Sequence, residues 1–164
     1  MMRILGIDPG SRITGLGVVE ADDGSLRCVG YRRVRMENLP LPERLGMIYQ
    51  GVASLINEVQ PDSVAVEQVF VASNVKSALV LGHARGSAIC SAVNAGREVW
   101  EYSALQIKRA VVGSGNAKKE QTQHMVRAIL GLTATPTIDE ADALACAICH
   151  IHTIQVQRKL ERAR

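Results

Sequence analysis

Residues 3–20 read RILGIDPGSRITGLGVVE, two apolar runs joined by the tight turn Asp8-Pro9-Gly10-Ser11. Runs of this length and composition predict strands, and the Pro-Gly turn predicts that the two strands form a hairpin. After a second turn at Asp22-Asp23-Gly24-Ser25, residues Leu26–Met36 predict a third strand. The chain is therefore expected to begin with three antiparallel strands, and Asp8 is expected at the carboxyl end of the first.

The rest of the chain alternates between helical and strand patterns. Apolar residues at helical spacing predict a helix from about Glu43 to Val59, entered through Pro40 and Pro42. Strands are predicted at Ser63–Glu67 and Arg97–Glu101, and helices at Asn74–Ala95, Ala104–Val112, Lys118–Leu130 and Asp139–Val156. This order predicts an α/β fold with a mixed five-stranded sheet flanked by helices. We expect one domain over residues 1–156 and a basic tail over 157–164.

The composition fits one compact domain with a moderate positive charge. The chain has 164 residues, of which 47% are hydrophobic, and its 19 Lys and Arg exceed its 16 Asp and Glu for a net charge of +3. That charge permits an anionic partner without requiring one. Basic residues cluster in 108–119 and 158–164, which are candidate phosphate contacts, although charge runs are commonly solvated surface.

The four cysteines show no disulfide framework, and the sequence opens without a signal-peptide pattern, so we expect a reducing cytoplasm. The apolar stretches are interrupted too soon to span a membrane. Cys146 and Cys149, followed by His150 and His152, supply the ligand types of a zinc site. Because no second pair closes such a site, we predict that the cysteines pack in a helix and that both histidines lie on or near its surface.

Four acids stand where chemistry is expected. Asp8 and Glu67 each end an apolar strand, and ligands gather at the carboxyl ends of strands in open α/β sheets. Asp139 and Asp142, three residues apart at a helix start, project from one face with Cβ atoms about 5–6 Å apart. Together these carboxylates can converge on hard divalent cations, and two such cations about 3.5–4 Å apart can drive phosphodiester hydrolysis.

Each acid also has a simpler interpretation. Asp139 and Asp142 can complement the dipole at the N-terminus of their helix, and Asp8 can initiate the turn before Pro9. The catalytic hypothesis depends on the four occurring together.

Six segments in order carry a resemblance that covers nearly the whole chain. The order of elements and acids is similar to the ribonuclease-H-like nuclease superfamily and, within it, to the RuvC family of Holliday-junction resolvases. The segments are Gly6-Ile7-Asp8-Pro9-Gly10-Ser11 with Thr14-Gly15, Val66-Glu67-Gln68-Val69-Phe70, Leu81-Gly82-His83-Ala84-Arg85-Gly86, Val111-Val112-Gly113, Gln123-His124-Met125-Val126-Arg127 and Asp139-Glu140-Ala141-Asp142-Ala143-Leu144-Ala145.

The resemblance implies an activity and its cofactor. Asp8, Glu67, Asp139 and Asp142 are expected to bind Mg²⁺, two ions per site with Mn²⁺ as a substitute, and to cleave one strand of a four-way DNA junction. The products carry a 5′-phosphate and a 3′-hydroxyl. A homodimer is expected to cut two opposed strands in concert with the RuvA and RuvB branch-migration machinery, in recombination and repair.

The resemblance also implies roles for residues outside the acidic set. Phe70 is expected to open or stack on junction bases, and Lys108 and Lys119 are expected to approach the cleaved phosphate. Lys118 lies in the glycine-rich segment Gly113–Lys119, which we interpret as a mobile loop near DNA. From the residues alone, Phe70 fits a core contact equally well and the lysines fit solvated surface. The small-residue helix Asn74–Ala95 fits tight internal packing or a dimer interface.

Two other classes of function share parts of this pattern. Actin-like and sugar-kinase-like ATPases also begin with a strand, an Asp and a glycine turn, but they need two related domains and this chain accommodates one. A DNA-binding module without nuclease activity is the other alternative, and the presence of all four acids argues against it.

Overall fold

The computed structural model describes residues 1–69 and 74–163. The strands are β1 (Met2–Asp8), β2 (Ile13–Asp22), β3 (Ser25–Arg35), β4 (Ser63–Glu67) and β5 (Glu98–Tyr102). The helices are α1 (Leu41–Val59), α2 (Val75–Asn94), α3 (Ala104–Val112), α4 (Lys119–Ile129) and α5 (Ile138–Arg162). No helix in this part of the chain is both long and apolar enough to cross a membrane.

The strands form one mixed sheet in the order β3-β2-β1-β4-β5. β1, β2 and β3 pair antiparallel, whereas β4 pairs parallel to both β1 and β5. The predicted antiparallel run of three strands and the mixed five-stranded α/β fold are therefore confirmed. The parallel pairing of β1 with β4 brings their carboxyl ends to the same edge of the sheet.

The two faces of the sheet carry separate cores because successive strand residues point to opposite sides. Leu5, Ile7, Val64 and Val66 pack against α1 and α2 on one face. Ile4 and Ala65 belong to the other face, which α5 covers with α3 and α4. Asp8 is four residues after Ile4 and Glu67 is two residues after Ala65, so both acids share that face. This alternation directs Asp8 and Glu67 toward α5.

α5 approaches the sheet so closely that only glycine fits beneath it at three positions. Gly6 and Gly17 are cross-strand partners, as are Asp8 and Gly15. A Cβ on Gly6 would overlap the carbonyl oxygen of Ala143, and a Cβ on Gly15 would overlap the carbonyl oxygen of Asp139. The glycines therefore set how near the acid-bearing first turn of α5 comes to the end of β1.

Two helix boundaries differ from the sequence predictions by more than one residue. α1 begins at Leu41 rather than near Glu43 because a proline in the first turn lacks only an N–H that has no helical partner there. α5 continues through Arg162 instead of ending at Val156, since residues 157–162 include good helix formers. The side chains of residues 156–163 are exposed, and the division between a domain ending at 156 and a tail remains a prediction.

The prediction that His150 lies on or near the surface is wrong. Its side chain is fully buried, with Nε2 2.9 Å from Ser63 Oγ and Nδ1 2.7 Å from Tyr102 Oη. Because both ring nitrogens have partners, the imidazole is accommodated in the core as a neutral group. His152 is half-buried. Cys146 and Cys149 pack in the core, as predicted.

Candidate active site

Asp8 and Glu67 lie at the ends of neighbouring parallel strands and face the same side of the sheet. Ile7 is paired with Val66, so the residues that follow them, Asp8 and Glu67, emerge side by side at the carboxyl edge. The chain turns sharply after Asp8, where Thr14 Oγ1 donates to the Gly10 carbonyl and accepts from the Gly10 N–H. This local bonding holds the first acid in place.

The first turn of α5 brings two further acids to this edge. Asp139 lies over Gly15, the cross-strand partner of Asp8, and Asp142 follows one turn later. Glu140, between them, takes the capping role: its Oε2 accepts from the N–H and the hydroxyl of Thr137, at 2.8 Å and 2.7 Å. Glu140 is therefore engaged at the N-terminus of α5, whereas Asp142 faces the neighbouring pocket.

A pocket of about 150 Å³ contains most of the predicted catalytic residues. Three acids and both predicted catalytic lysines line it together with three residues of α3 and α4: Asp8, Glu67, Asp142, Lys108, Lys119, Ala104, Ile107 and Thr122. Asp139 does not line the pocket, but its charge acts on Asp8 and Asp142. The structure thus brings five of the six predicted catalytic side chains around one space and leaves the sixth beside it.

Burial and mutual repulsion raise the pKa values of the three carboxyl groups that line the pocket. Burial, followed by the charges of Glu67, Asp142 and Asp139, raises the pKa of Asp8 well above its usual value. Burial and the charge of Asp142 raise the pKa of Glu67 to about 7, and burial also raises the pKa of Asp142. Lys119 opposes all three shifts. The pocket therefore attracts positive charge.

The acids do not close into a ligand shell in this arrangement. Within residues 1–69 and 74–163, no three Asp, Glu, His or Cys side chains converge closely enough to hold a metal ion. Lys119, 65% exposed, forms an ion pair with this cluster, its Nζ 3.7 Å from Asp142 Oδ2. A divalent cation would offset the repulsion between the carboxylates and draw their oxygens toward it.

Lys118 and Phe70 are the remaining residues that the sequence predicts for the site. Lys118 is exposed immediately before α4, and its backbone N–H donates to the Gln121 side chain. Phe70 lies outside the described residues, so its predicted stacking role stays a prediction. Its neighbours Gln68 and Val69 line the sheet edge beside Asp8 and Glu67.

Comparison with known proteins assigns the chain to a family. The sequence model of the family described as crossover junction endodeoxyribonuclease RuvC matches residues 4–150. The chain belongs to this RuvC family. The RuvC of Aeromonas hydrophila is 54% identical over 160 residues, covering 98% of this chain and 92% of the relative. The RuvC of Alkalilimnicola ehrlichii is 52% identical and the match covers 99% of both chains.

A solved RuvC structure has the same fold. Thermus thermophilus RuvC in complex with a Holliday junction substrate superposes with a TM-score of 0.89 at 36% identity, covering 96% of this chain and 97% of that one. The predicted ribonuclease-H-like fold and the predicted relationship to RuvC are both confirmed.

Sequence reasoning missed the residues that set the spacing of the site. Gly15 and Gly17 alternate with Leu16 and Val18 in a strand that is otherwise buried. Glycine at alternate positions of a buried strand indicates the close approach of another backbone, so the signal was present in the sequence. Thr122, which lines the acidic pocket, had no comparable signal because its side chain reaches the site only through the packing of α4.

Proposed function

We propose that the chain resolves four-way DNA junctions as a metal-dependent endonuclease that makes paired, symmetric nicks. The observation that carries the proposal is the pocket in which Asp8, Glu67 and Asp142 meet Lys108 and Lys119, in a chain of the RuvC family. Each cut breaks the bond between phosphorus and the 3′ oxygen. Water supplies the new oxygen on phosphorus, which leaves a 5′-phosphate and a 3′-hydroxyl.

The donor set suits a hard divalent cation. The acids at the pocket offer carboxylate oxygens and no sulfur or imidazole, the preference of Mg²⁺ and Mn²⁺. We assign Asp8, Glu67, Asp139 and Asp142 as the side chains that would hold the metal, with two Mg²⁺ ions per site. When bound, the ions would activate water and stabilise the departing oxygen of an in-line displacement.

The lysines complement the acids. Lys108 and Lys119 approach the pocket from α3 and α4 and present ammonium groups toward the position of the scissile phosphate. They hold the anionic strand against a cluster of carboxylates that would otherwise repel it. Lys118, exposed beside them, contributes a contact to the sugar–phosphate backbone of the DNA. Phe70 stacks on a junction base, and such a contact is worth about 1–3 kcal/mol.

The outward face of α2 supports a homodimer. Its inward residues Ala84 and Ala88 pack on α1, whereas Val75 and Leu79 are 67% and 61% exposed. Nothing lies within 4 Å of the positions where Gly82 and Gly86 would carry a Cβ. Together with Cys90 and Val93, these outward residues form a stripe at spacings of three and four, which allows close approach of a second helix.

Leu79→Glu tests the dimer. A charge within the stripe is expected to give monomers and to abolish the paired cutting of opposed strands. Leu160→Glu is the matched control, because Leu160 is also 61% exposed and lies near the end of α5. Sedimentation of both variants beside the wild type gives the oligomeric state, and an unchanged dimer in Leu79→Glu would exclude α2 as the interface.

We further propose that the enzyme acts in the cytoplasm with RuvA and RuvB. Its four cysteines are free thiols, and a reducing compartment keeps them so.

The chemistry of cleavage is tested by identifying the terminal groups on the cleaved DNA strands. Nicked junction arms with a 5′-phosphate and a 3′-hydroxyl can be resealed directly by a DNA ligase. Mapping the nicks on end-labelled strands should place them at symmetric positions in two opposed arms. Ends that require phosphatase or kinase treatment before ligation would contradict the proposed displacement.

A further inference from the structure

A second polar pocket, of about 230 Å³, opens beside the turn that follows Asp8. It is lined by Arg12, Glu37, Asn38 and Arg44. Arg12 belongs to the turn itself, and Arg44 to the first turns of α1. Arg12 is four positions after Asp8 in the sequence, so their Cα atoms are at most about 14 Å apart even if the chain were extended. The pocket therefore adjoins the acidic site.

Arg44 is held rigidly at this pocket. Its Nη1 donates to the Ser11 carbonyl at 3.1 Å and its Nε donates to the Leu39 carbonyl at 2.6 Å. The guanidinium thus bridges the turn after Asp8 and the loop before α1. Among the described residues, Nη2 of Arg44 makes no hydrogen bond within the protein. The Arg44 guanidinium therefore retains N–H donors for a bound ligand.

Arg12 has a fixed backbone and an uncommitted side chain. Its carbonyl accepts from the Met36 N–H at 2.8 Å, which anchors the turn to the end of β3. Its side chain is exposed, and in the part of the chain that the structure describes it forms neither an ion pair nor a hydrogen bond. An arginine held by its backbone and free at its guanidinium is suited to a bidentate contact with two oxygens of a phosphate.

We propose that Arg12 and Arg44 bind a backbone phosphate of the DNA near the cleavage point, on the side of the active site opposite Lys108 and Lys119. This inference rests on the proposed junction-cleaving function and assigns a further phosphate contact to it. The ligand is a phosphodiester monoanion, and the contact carries no base specificity, because guanidinium groups at this pocket would meet the backbone only.

The layers of the fold account for the placement. Lys108 and Lys119 reach the carboxyl edge from the helices on the α5 face, whereas Arg44 reaches it from α1 on the opposite face. A strand that crosses this edge meets cations on both sides of the acids. Phosphates along one strand recur every roughly 3.4 Å of helix axis, so several fall within reach of the two clusters.

Glu37 supplies an internal check. Its exposed carboxylate lines the same pocket and offsets one of the two arginines. If the pocket binds phosphate, Glu37→Gln should tighten junction binding, whereas Arg12→Ala should weaken it. Opposite effects of two changes in one pocket are not expected from a general loss of folding.

The experiment measures junction binding against salt concentration, with chelator present so that no strand is cut. Arg12→Ala should lower the slope of log K against log salt by about 0.9 and weaken binding roughly tenfold. Arg27→Ala removes one exposed arginine of β3 at the opposite end of the sheet and should leave the slope unchanged. An unchanged slope in Arg12→Ala, or an equal loss in Arg27→Ala, would overturn the inference.

Neutral linkages identify the phosphate directly. Methylphosphonates placed one at a time along the cleaved strand should reveal a linkage whose neutralisation weakens wild-type binding but leaves Arg12→Ala binding unchanged. Equal losses in both proteins at every linkage would also overturn the inference. If the wild type does not bind the junction at all, the proposed function and this inference both fail, whereas a wild type that binds but shows no linkage dependent on Arg12 contradicts this inference alone.

Discussion

The ammonium nitrogen of Lys119 lies 3.7 Å from Oδ2 of Asp142, across the gap between the start of α4 and the start of α5. Among the residues that the structure describes, Lys119 alone lowers the pKa of all three pocket acids, Asp8, Glu67 and Asp142. The lysine therefore acts on the whole acidic pocket and not on a single partner. Because its side chain is 65% exposed, it can turn toward a substrate phosphate when a cation replaces it among the acids.

Lys119→Ala is expected to slow junction cleavage roughly ten- to a hundredfold, because the cation beside the scissile phosphate is lost. Binding measured in chelator should weaken far less. The cleavage rate under single-turnover conditions checks this, with Arg27→Ala at the opposite end of the sheet as the control. A wild-type cleavage rate for Lys119→Ala would show that Lys119 is a solvated surface residue with no part in cleavage.

Asp8→Asn is expected to abolish cleavage and to retain or strengthen junction binding. The amide keeps the shape of the side chain but removes one negative charge from a position near phosphate. The same change relieves repulsion in the metal-free protein, so its melting temperature should rise by a few degrees, at about 2–4 °C per kcal/mol. A variant that unfolds, or that still cuts, would contradict the assignment of Asp8.

The raised pKa of Glu67, about 7, makes folding stability depend on pH. Between about 4.5 and 7 the folded state holds a proton that the unfolded state has released, so this residue lowers the free energy of unfolding as pH rises. His150 acts in the opposite direction, because burial lowers its pKa to about 4. The two contributions must therefore be separated.

The comparison of Glu67→Gln with the wild type separates them, since His150 is common to both. In chelator, the stability of the variant relative to the wild type should increase from pH 4.5 to 7 and level off above. Thermal unfolding across this range measures the difference. Added Mg²⁺ should stabilise the wild type more at pH 8 than at pH 6. A difference that does not change with pH would rule out the raised pKa.

Gly15→Ala is expected to destabilise the protein by about 2 kcal/mol or more, because the added methyl group meets the Asp139 carbonyl. Moving the first turn of α5 away from Asp8 should also reduce cleavage in the fraction that remains folded. Gly30→Ala in β3 is the control, as nothing lies within 4 Å of its Cβ position. Equal behaviour of the two variants would show that α5 need not approach so closely.

The pattern of strands and acids was readable from the sequence because it depends on local chemistry. Apolar runs and turn residues located β1, β2 and β4, and these placed Asp8 and Glu67 at strand ends. Two acids at the start of a helix located Asp142. These features follow from period-two alternation and turn geometry, which the order of residues encodes directly.

What could not be predicted depends on packing between distant segments. His150 is buried because Ser63 and Tyr102, far from it in sequence, satisfy both ring nitrogens. Helical periodicity does not reveal such partners. The pairing of Arg44 with the Ser11 carbonyl and the position of Thr122 at the acidic pocket are of the same kind. Each requires knowledge of how α1 and α4 lie on the sheet.

The proposed function is tested most directly by cleavage of a synthetic four-way DNA junction beside linear duplex of the same sequence, with Mg²⁺ and with chelator. The proposed function predicts paired nicks in opposed strands of the junction only, and none with chelator. Tight junction binding without cleavage in Mg²⁺ or Mn²⁺, or equal cutting of linear duplex, would contradict it.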